Sequence, residues 1–248
     1  MHFHLPKPLH GWRAFAGEVG IIVVGVLIAL GAEQVAEGWR WHERAEEGRE
    51  RLKAEIGHEF LLMQEREAVG DCVDAQLTDL ENLVLSSGTT LKPAAIYSEN
   101  QPPGLISQYV IRTPSRSWSD SAWQSIIAEG LPEHLTVRER EYLPIHYSQL
   151  ARISAANHDE DQVLGELRAL SRPLPLDAGV RSGFVRLIEG ERARNRFMAN
   201  GSVQMIGTVK RLHYVPAEQQ QRDWMARSGT VNFCRAHHLP LRNLKVDG

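Results

Sequence analysis

An uninterrupted apolar run at positions 19–32 constrains this chain more than any other feature of its sequence. As a helix that rises about 1.5 Å per residue, the run covers roughly 21 Å, less than a hydrocarbon thickness of about 30 Å. The flanking residues must therefore complete a membrane span, and Trp12 and Trp39 stand where aromatic rings prefer the interface. The pattern predicts a transmembrane anchor at 12–36, followed by a domain at 37–248.

Small residues and glutamates mark one side of this predicted helix. Steps of three and four residues bring Glu18, Gly25 and Ala29 onto one stripe, and the pair of Gly25 and Ala29 permits close approach of a second helix. We expect Glu18 and Glu33 to lie near the two headgroup regions, facing a partner helix or trapped water, because charges at the bilayer centre are costly. The stripe predicts a homo-oligomer through the transmembrane helix. The alternative is a plain single-pass anchor in which glycine and alanine are merely common.

A cleavable signal peptide is a further alternative for this segment. Its core at 21–30 is short enough, and Ala29, Leu30 and Gly31 resemble a small-residue cleavage site. Two features oppose cleavage, since Glu18 weakens the apolar region and the helical pattern continues past Gly31 without a break. The prediction is therefore an uncleaved anchor.

The orientation of the anchor does not follow from the basic residues, because the arginines after the span are crowded by acids. The tail at 1–11 is too short for an output domain, and its prolines leave His2, His4 and His10 without a fixed geometry for a metal ion. A first helix near the N-terminus commonly translocates the long domain behind it, and the even cysteine count suits an oxidising compartment. We therefore predict a bacterial inner-membrane protein with a cytoplasmic N-terminus and a periplasmic domain.

Two segments carry a resemblance to a known group of proteins. The first is Glu18 followed by IIVVGVLIAL and a polar turn that ends in Trp39, and the second is SWSDSAWQSIIAEG at 117–130. The first segment resembles the N-terminal anchor of a group of uncharacterised bacterial single-pass membrane proteins with helical C-terminal regions, and the second resembles a segment of the same proteins. The resemblance implies a single-pass topology and a helical domain, and it implies no activity.

The rest of the chain shows helical periodicity and no alternating strand runs. The spacing predicts an amphipathic helix at 37–85, nearly continuous with the span, with Gly57 and Gly70 as candidate break points, and then an irregular loop at about 86–117. Shorter helices are predicted at 119–129 with Ser119 or Ser121 as cap, at 136–170 with a Thr136 and Glu139 capping box, at 177–213 with Asp177 as cap, and at 216–237. Their apolar positions, including Ile127 and Ile145, are expected to be buried. The predicted fold class is all-α, a bundle of four or five helices.

The overall charge gives no sign of a nucleic-acid partner. The chain carries 28 Lys and Arg against 31 Asp and Glu, and its basic residues alternate with acids rather than forming a patch. Solvated helix faces are the expected structure for such sequences. The predicted partners are the lipid bilayer, a second copy of the chain and another protein of the cell envelope.

Cys72 and Cys234 are the two cysteines of the chain, and three states are open to them. In an oxidising compartment they would close a loop of about 160 residues, which the chain-entropy estimate values at about 4 to 5 kcal/mol. The alternatives are two buried free thiols or a nucleophilic Cys234 whose pKa is lowered by His237, three residues away. The disulfide is the favoured prediction.

The motifs of common enzyme families are absent from the sequence, which favours an interaction or scaffold protein without a cofactor. No phosphate-binding glycine loop, GxSxG, HExxH or CxxC pattern is present. One ExxH pair, Glu55 and His58, has the spacing of di-iron bundles, but such sites need two pairs and further glutamates.

A metal-dependent hydrolase is the alternative function. The dipeptide of His158 and Asp159 resembles the centre of the helical phosphohydrolases of the HD kind, and His134 or His146 and Asp177 are the candidate partners for it. An ordinary acidic helix face is the simpler interpretation of the same residues.

Overall fold

One helix, α1 (Trp12–Ser86), runs through the whole molecule. The computed structural model describes residues 12–98 and 108–242, so the predicted tail and its histidines lie outside the described residues. Within these ranges the further helices are α2 (Ser121–Ala128), α3 (Val137–Leu167), α4 (Ala178–Leu212), α5 (Glu218–Arg227) and α6 (Gly229–Ala236). Short 3-10 turns occur at Leu131–His134 and Arg168–Ser171, and the strands β1 (Tyr97–Ser98) and β2 (Gln108–Tyr109) form an antiparallel pair. The prediction of an all-α fold with a long apolar N-terminal helix and a bundle is confirmed.

The helix α1 has two parts with different surroundings but no break between them. Its 75 residues extend about 112 Å, and positions 15–40 are exposed whereas the side chains are progressively buried from Ala45 onward. The candidate break points were wrong. A Cβ at Gly70 would stand 3.2 Å from the Ala199 Cβ, and one at Gly57 would stand 3.8 Å from the Tyr214 carbonyl oxygen. The contact at Gly70 leaves little room for a side chain between α1 and α4, whereas the space at Gly57 would accept a Cβ.

The second part of α1 is the central helix of the bundle. Helix α4 packs against it in the antiparallel direction, since Arg181 near the start of α4 bonds the Val84 and Gly88 carbonyls while Asn195 donates to the Gly70 carbonyl at 2.8 Å. These arginine contacts satisfy carbonyl groups at the end of α1 that have no partner within the helix. The core forms two apolar clusters along α1, one around Leu52, Ile56, Phe60, Leu143, Leu150 and Met205, the other around Val69, Val73, Leu77, Leu167, Ile188 and Val231.

Two of the predicted helix starts are confirmed, and a third is confirmed only in part. The Thr136 and Glu139 capping box is present, and Asp177 accepts the Val180 N–H at 2.8 Å. Helix α2, however, follows Asp120, whose side chain makes no capping bond. Its cap comes from α1, because the Glu55 carboxylate accepts the Ala122 N–H at 3.0 Å together with the Ser119 and Ser121 hydroxyls. The Ser119 hydroxyl also accepts the Ser121 N–H at 3.3 Å, so the contact between distant segments adds to a local bond.

The burial of two side chains and the bounds of two predicted helices also differ from the sequence prediction. Ile127 and Ile145 were expected to be buried but are 47% and 55% exposed. The last predicted helix is two helices, because Ser228 separates α5 from α6 and accepts the Val231 N–H as the cap of α6. The predicted helix at 136–170 ends at Leu167 and continues as a 3-10 turn.

The described parts of the predicted loop at 86–117 are bonded to the bundle at several points. Leu91 donates its N–H to the Leu174 carbonyl at 2.9 Å, and Ala94 donates to the Leu170 carbonyl at 2.8 Å. Further along, the Gln76 amide on α1 bonds both the N–H and the carbonyl of Arg112, at 2.7 and 3.1 Å. The side chain of Gln76 therefore pairs with the backbone in place of a neighbouring strand.

Candidate functional site

The first part of α1 is the largest uncovered apolar surface in the described chain. It is the one described helix that is long and apolar enough to cross a membrane, and none of its most apolar window is buried in the structure. Glu18, Gly25, Ala29 and Glu33 are all exposed on it, and a Cβ at Gly25 would meet no atom within 4 Å. The side of the helix that carries Gly25 and Ala29 therefore has room for a second helix.

The two cysteines are joined in the structure. Cys72 on α1 and Cys234 on α6 form a disulfide, with Cα atoms 6.0 Å apart and 162 positions between them in the sequence. The bond ties the C-terminal helices to the central helix, next to the backbone bond from the Arg242 N–H to the Ala68 carbonyl. With both sulfurs oxidised, neither cysteine is the free or nucleophilic thiol of the two alternatives.

The residues of the predicted HD-like site have separate partners. The imidazole of His158 bonds Gln162 at 3.1 Å, Asp177 caps α4, and His134 stacks on Trp41 with ring centroids 4.5 Å apart. Across residues 12–98 and 108–242, no group of three or more His, Cys, Asp and Glu side chains could hold a metal ion. The structure thus does not bring these candidates together.

The ExxH pair is also divided between two structural roles. Glu55 caps α2 and accepts the Tyr147 hydroxyl at 2.8 Å, so both of its oxygens are engaged. His58, one turn away, lies edge-on to Trp224 with ring centroids 5.3 Å apart. These contacts support the bundle rather than a di-iron site.

A buried acid and base, which the sequence analysis missed, lie one turn further along α1. Glu59 Oε2 and His146 Nε2 are 2.7 Å apart, and the two residues are 1% and 0% exposed. Burial raises the pKa of Glu59 to about 9, with a contribution from the Glu55 charge, and burial lowers the pKa of His146 to about 4. Both shifts favour a neutral pair in which the carboxylic acid donates to the imidazole.

A second buried group joins α1, α3 and α4. Arg66 donates to both oxygens of Glu160 at 2.9 and 2.6 Å, and it also bonds the Pro114 carbonyl. Glu191 on α4 completes the group, bonded by Arg194 at 2.5 Å. Burial and the Glu160 charge raise the pKa of Glu191 to about 8.

No family model matches this chain, and no curated protein or solved structure matches it. What the chain does must therefore be argued from its own geometry.

Helical periodicity predicts that the charged residues of α1 face solvent. Glu59, Glu65 and Arg66 flank the apolar stretch at 60–63, and an amphipathic helix would place such residues on its wet face. Because other elements cover the middle of α1 on every side, its polar residues are buried too. The sequence signal for the burial of these residues was a stretch of four apolar residues with charged residues on both sides.

The acid and base of the Glu59 and His146 pair lie beneath the protein surface. A groove of about 390 Å³ between α3 and α4 passes over His146, and Ile145, Gln149, Gln204 and Met205 line it. The imidazole itself has no exposed surface, and Glu59 lies behind it. The contact of Glu59 with His146 and the contact of Arg66 with Glu160 therefore join α1 to α3.

Proposed function

We propose that this protein is a single-pass membrane protein whose helical bundle serves as an interaction or scaffold module. One observation carries the proposal. The exposed apolar part of α1 continues without a break into the helix that forms the centre of the bundle. An exposed apolar helix of this length in water would associate or aggregate, whereas a bilayer removes its surface from water.

The proposal locates the bundle in the bacterial periplasm and the N-terminus in the cytoplasm. The disulfide between Cys72 and Cys234 supports this side of the inner membrane, because such bonds persist in oxidising compartments and are rare in the cytosol. The resemblance of the anchor to bacterial single-pass proteins supports the same topology.

The partners in this proposal are a second copy of the chain in the membrane and another envelope protein outside it. Self-association uses the stripe of Glu18, Gly25 and Ala29, because small residues let two helix backbones approach closely. Inside the bundle, α4, α5 and α6 already cover α1. This supports the membrane segment of α1 as the site of pairing with a second copy.

A topology and thiol experiment tests the location. A C-terminal reporter active only outside the cytoplasm is combined with maleimide labelling of Cys72 and Cys234, with and without reductant. The proposal expects an active reporter and labelling only after reduction under denaturing conditions. An inactive reporter with reactive thiols would place the bundle in the cytoplasm and overturn the periplasmic assignment.

A pair of matched glycine variants tests self-association. Gly25→Leu fills the predicted contact, and Gly31→Leu adds the same side chain about 120° away around the helix. Both glycines have open space around them in the structure, so neither change disturbs the monomer. We expect energy transfer between labelled copies in membranes to fall for Gly25→Leu and to persist for Gly31→Leu. If both changes reduced energy transfer equally, or if neither changed it, the result would favour a plain single-pass anchor without self-association.

A further inference from the structure

Two carboxyl groups from different helices meet inside the bundle. Glu160 on α3 and Glu191 on α4 are both 0% exposed, and their side chains are close enough for a hydrogen bond to each other. Two ionised carboxylates cannot form that bond, because each of them only accepts. In the described structure Glu191 Oε1 is buried without a donor. A proton on one of the two acids would turn the contact into a carboxyl–carboxylate hydrogen bond.

The two arginines beside this contact do not bridge it. Arg66 on α1 donates to both oxygens of Glu160, at 2.9 and 2.6 Å. Arg194 on α4 donates to Glu191 Oε2 at 2.5 Å. Each arginine therefore serves one acid, and neither supplies a donor between the two.

One further acid lies next to Arg66. Glu65 on α1 is also 0% exposed, and Arg116 donates to both of its oxygens at 2.9 and 2.8 Å. The Ser228 hydroxyl donates to the same carboxylate at 2.5 Å. Glu65 thus has its own donors and, as a carboxylate, offers none to Glu191.

We infer that Glu160 and Glu191 form a proton-dependent clasp between α3 and α4, which is closed while the two acids share a proton and loosens when alkaline surroundings remove it. Without the proton, two negative charges face each other at short range inside the protein, where water screens them poorly. The inference concerns the bundle alone and does not depend on the membrane anchor.

The direction of the pH response follows from the surroundings of Glu191. Burial and the Glu160 charge raise its pKa from 4.5 to about 8. Because the pKa is raised in the folded chain, the stabilising contribution of the clasp is complete below pH 4.5 and is lost as the pH rises toward 8 and above. The released proton passes to water.

Amide hydrogen exchange tests the inference on the full chain in phosphatidylcholine vesicles, with the native disulfide closed. Exchange is measured at pH 6 and pH 9 and corrected for the intrinsic pH dependence of the reaction. Glu191→Gln keeps a donor for Glu160 at every pH and cannot ionise. Glu189→Gln is the matched control, since it neutralises an exposed glutamate on roughly the opposite side of α4.

We expect wild-type amides at 157–167 and 188–198 to exchange several-fold faster at pH 9 than at pH 6, while those of α6 stay unchanged. Glu191→Gln should abolish this difference, and Glu189→Gln should keep it. The response of Glu59 near pH 9 is read separately, because its contact with His146 lies about 21 Å away along α3.

Three outcomes would overturn the clasp. The first is equal wild-type exchange at both pH values in the two segments, a comparison that needs no substitution and so does not depend on how the variants fold. The second is a pH difference that persists in Glu191→Gln. The third is an equal acceleration in α6, which would show general destabilisation rather than loosening between α3 and α4.

Discussion

Glu59 Oε2 lies 2.7 Å from His146 Nε2, and no other charged partner bonds either group in the described structure. The contact joins the central helix to α3 near the middle of the first core cluster. Since burial pushes the pKa of Glu59 up and that of His146 down, the pair is held neutral at pH 7. Its contribution to stability must therefore change with pH.

Replacement of Glu59 by glutamine removes one part of this pH dependence. The folded chain keeps a proton on Glu59 up to about pH 9, whereas the unfolded chain loses it near its usual value of 4.5. The Glu59 contribution to folded stability is thus complete below pH 4.5 and is lost as the pH rises toward 9. Glu59→Gln keeps a donor for His146 and cannot ionise, so we expect it to exceed the wild type in unfolding free energy by about 2 to 3 kcal/mol at pH 7. Apparent Tm between pH 5 and 9 measures the difference.

The control for this series is Glu166→Gln, which neutralises an exposed glutamate on α3. Its Tm profile should stay parallel to that of the wild type. The pKa of His146 is lowered, so its contribution is lost as the pH falls from 6.5 toward 4, and Glu59→Gln should retain that decline. A Glu59→Gln profile parallel to the wild type above pH 5 would contradict the neutral pair.

Loss of the Glu55 carboxylate should detach α2 locally. Glu55 supplies the cap that Asp120 lacks, and caps of this kind stabilise by about 1 kcal/mol. We expect Glu55→Ala to speed amide hydrogen exchange in α2 while exchange in α4 stays unchanged. Ser119→Ala removes one hydroxyl donor to the same oxygen and the acceptor of the Ser121 N–H but leaves the Glu55 carboxylate in place, so it should have a smaller effect. Uniform exchange changes across the bundle would argue against a local cap.

The Arg66 and Glu160 pair should be costly to break on one side only. Arg66→Met leaves a fully buried carboxylate without its partner, which we expect to lower the unfolding free energy by about 3 to 5 kcal/mol. The double variant Arg66→Met with Glu160→Leu should recover most of this loss, because no buried charge is then unpaired. Denaturant unfolding of both variants checks this, and equal losses would show that the arginine acts through packing alone.

Reduction of the disulfide should destabilise the bundle without changing its fold. Closing a loop of 162 positions corresponds to about 5 kcal/mol in the chain-entropy estimate, with measured values usually lower. We expect reductant to lower the apparent Tm of the wild type toward that of the double variant Cys72→Ala with Cys234→Ala. The double variant itself should not respond to reductant, and an equal response in both would point to an effect unrelated to the disulfide.

Local signals located most of the helices, whereas side-chain burial often depended on distant residues. Thr136 with Glu139, and Asp177, are caps whose partners lie three residues away, so the sequence alone was sufficient to find them. The cap of α2 lies on another helix, and the exposure of Ile145 depends on how α3 faces its neighbours. No local pattern contains that information.

The sequence by itself determined the apolar helix and the all-α class, because hydropathy and periodicity are properties of the chain, and it left three states open to the two cysteines. Only the tertiary structure decided that α1 is a central helix. Surrounding that helix on all sides buries polar residues such as Glu59 and Arg66, which periodicity assigns to solvent. Their partners, His146 and Glu160, lie 87 and 94 positions away, and only packing brings such distant groups together.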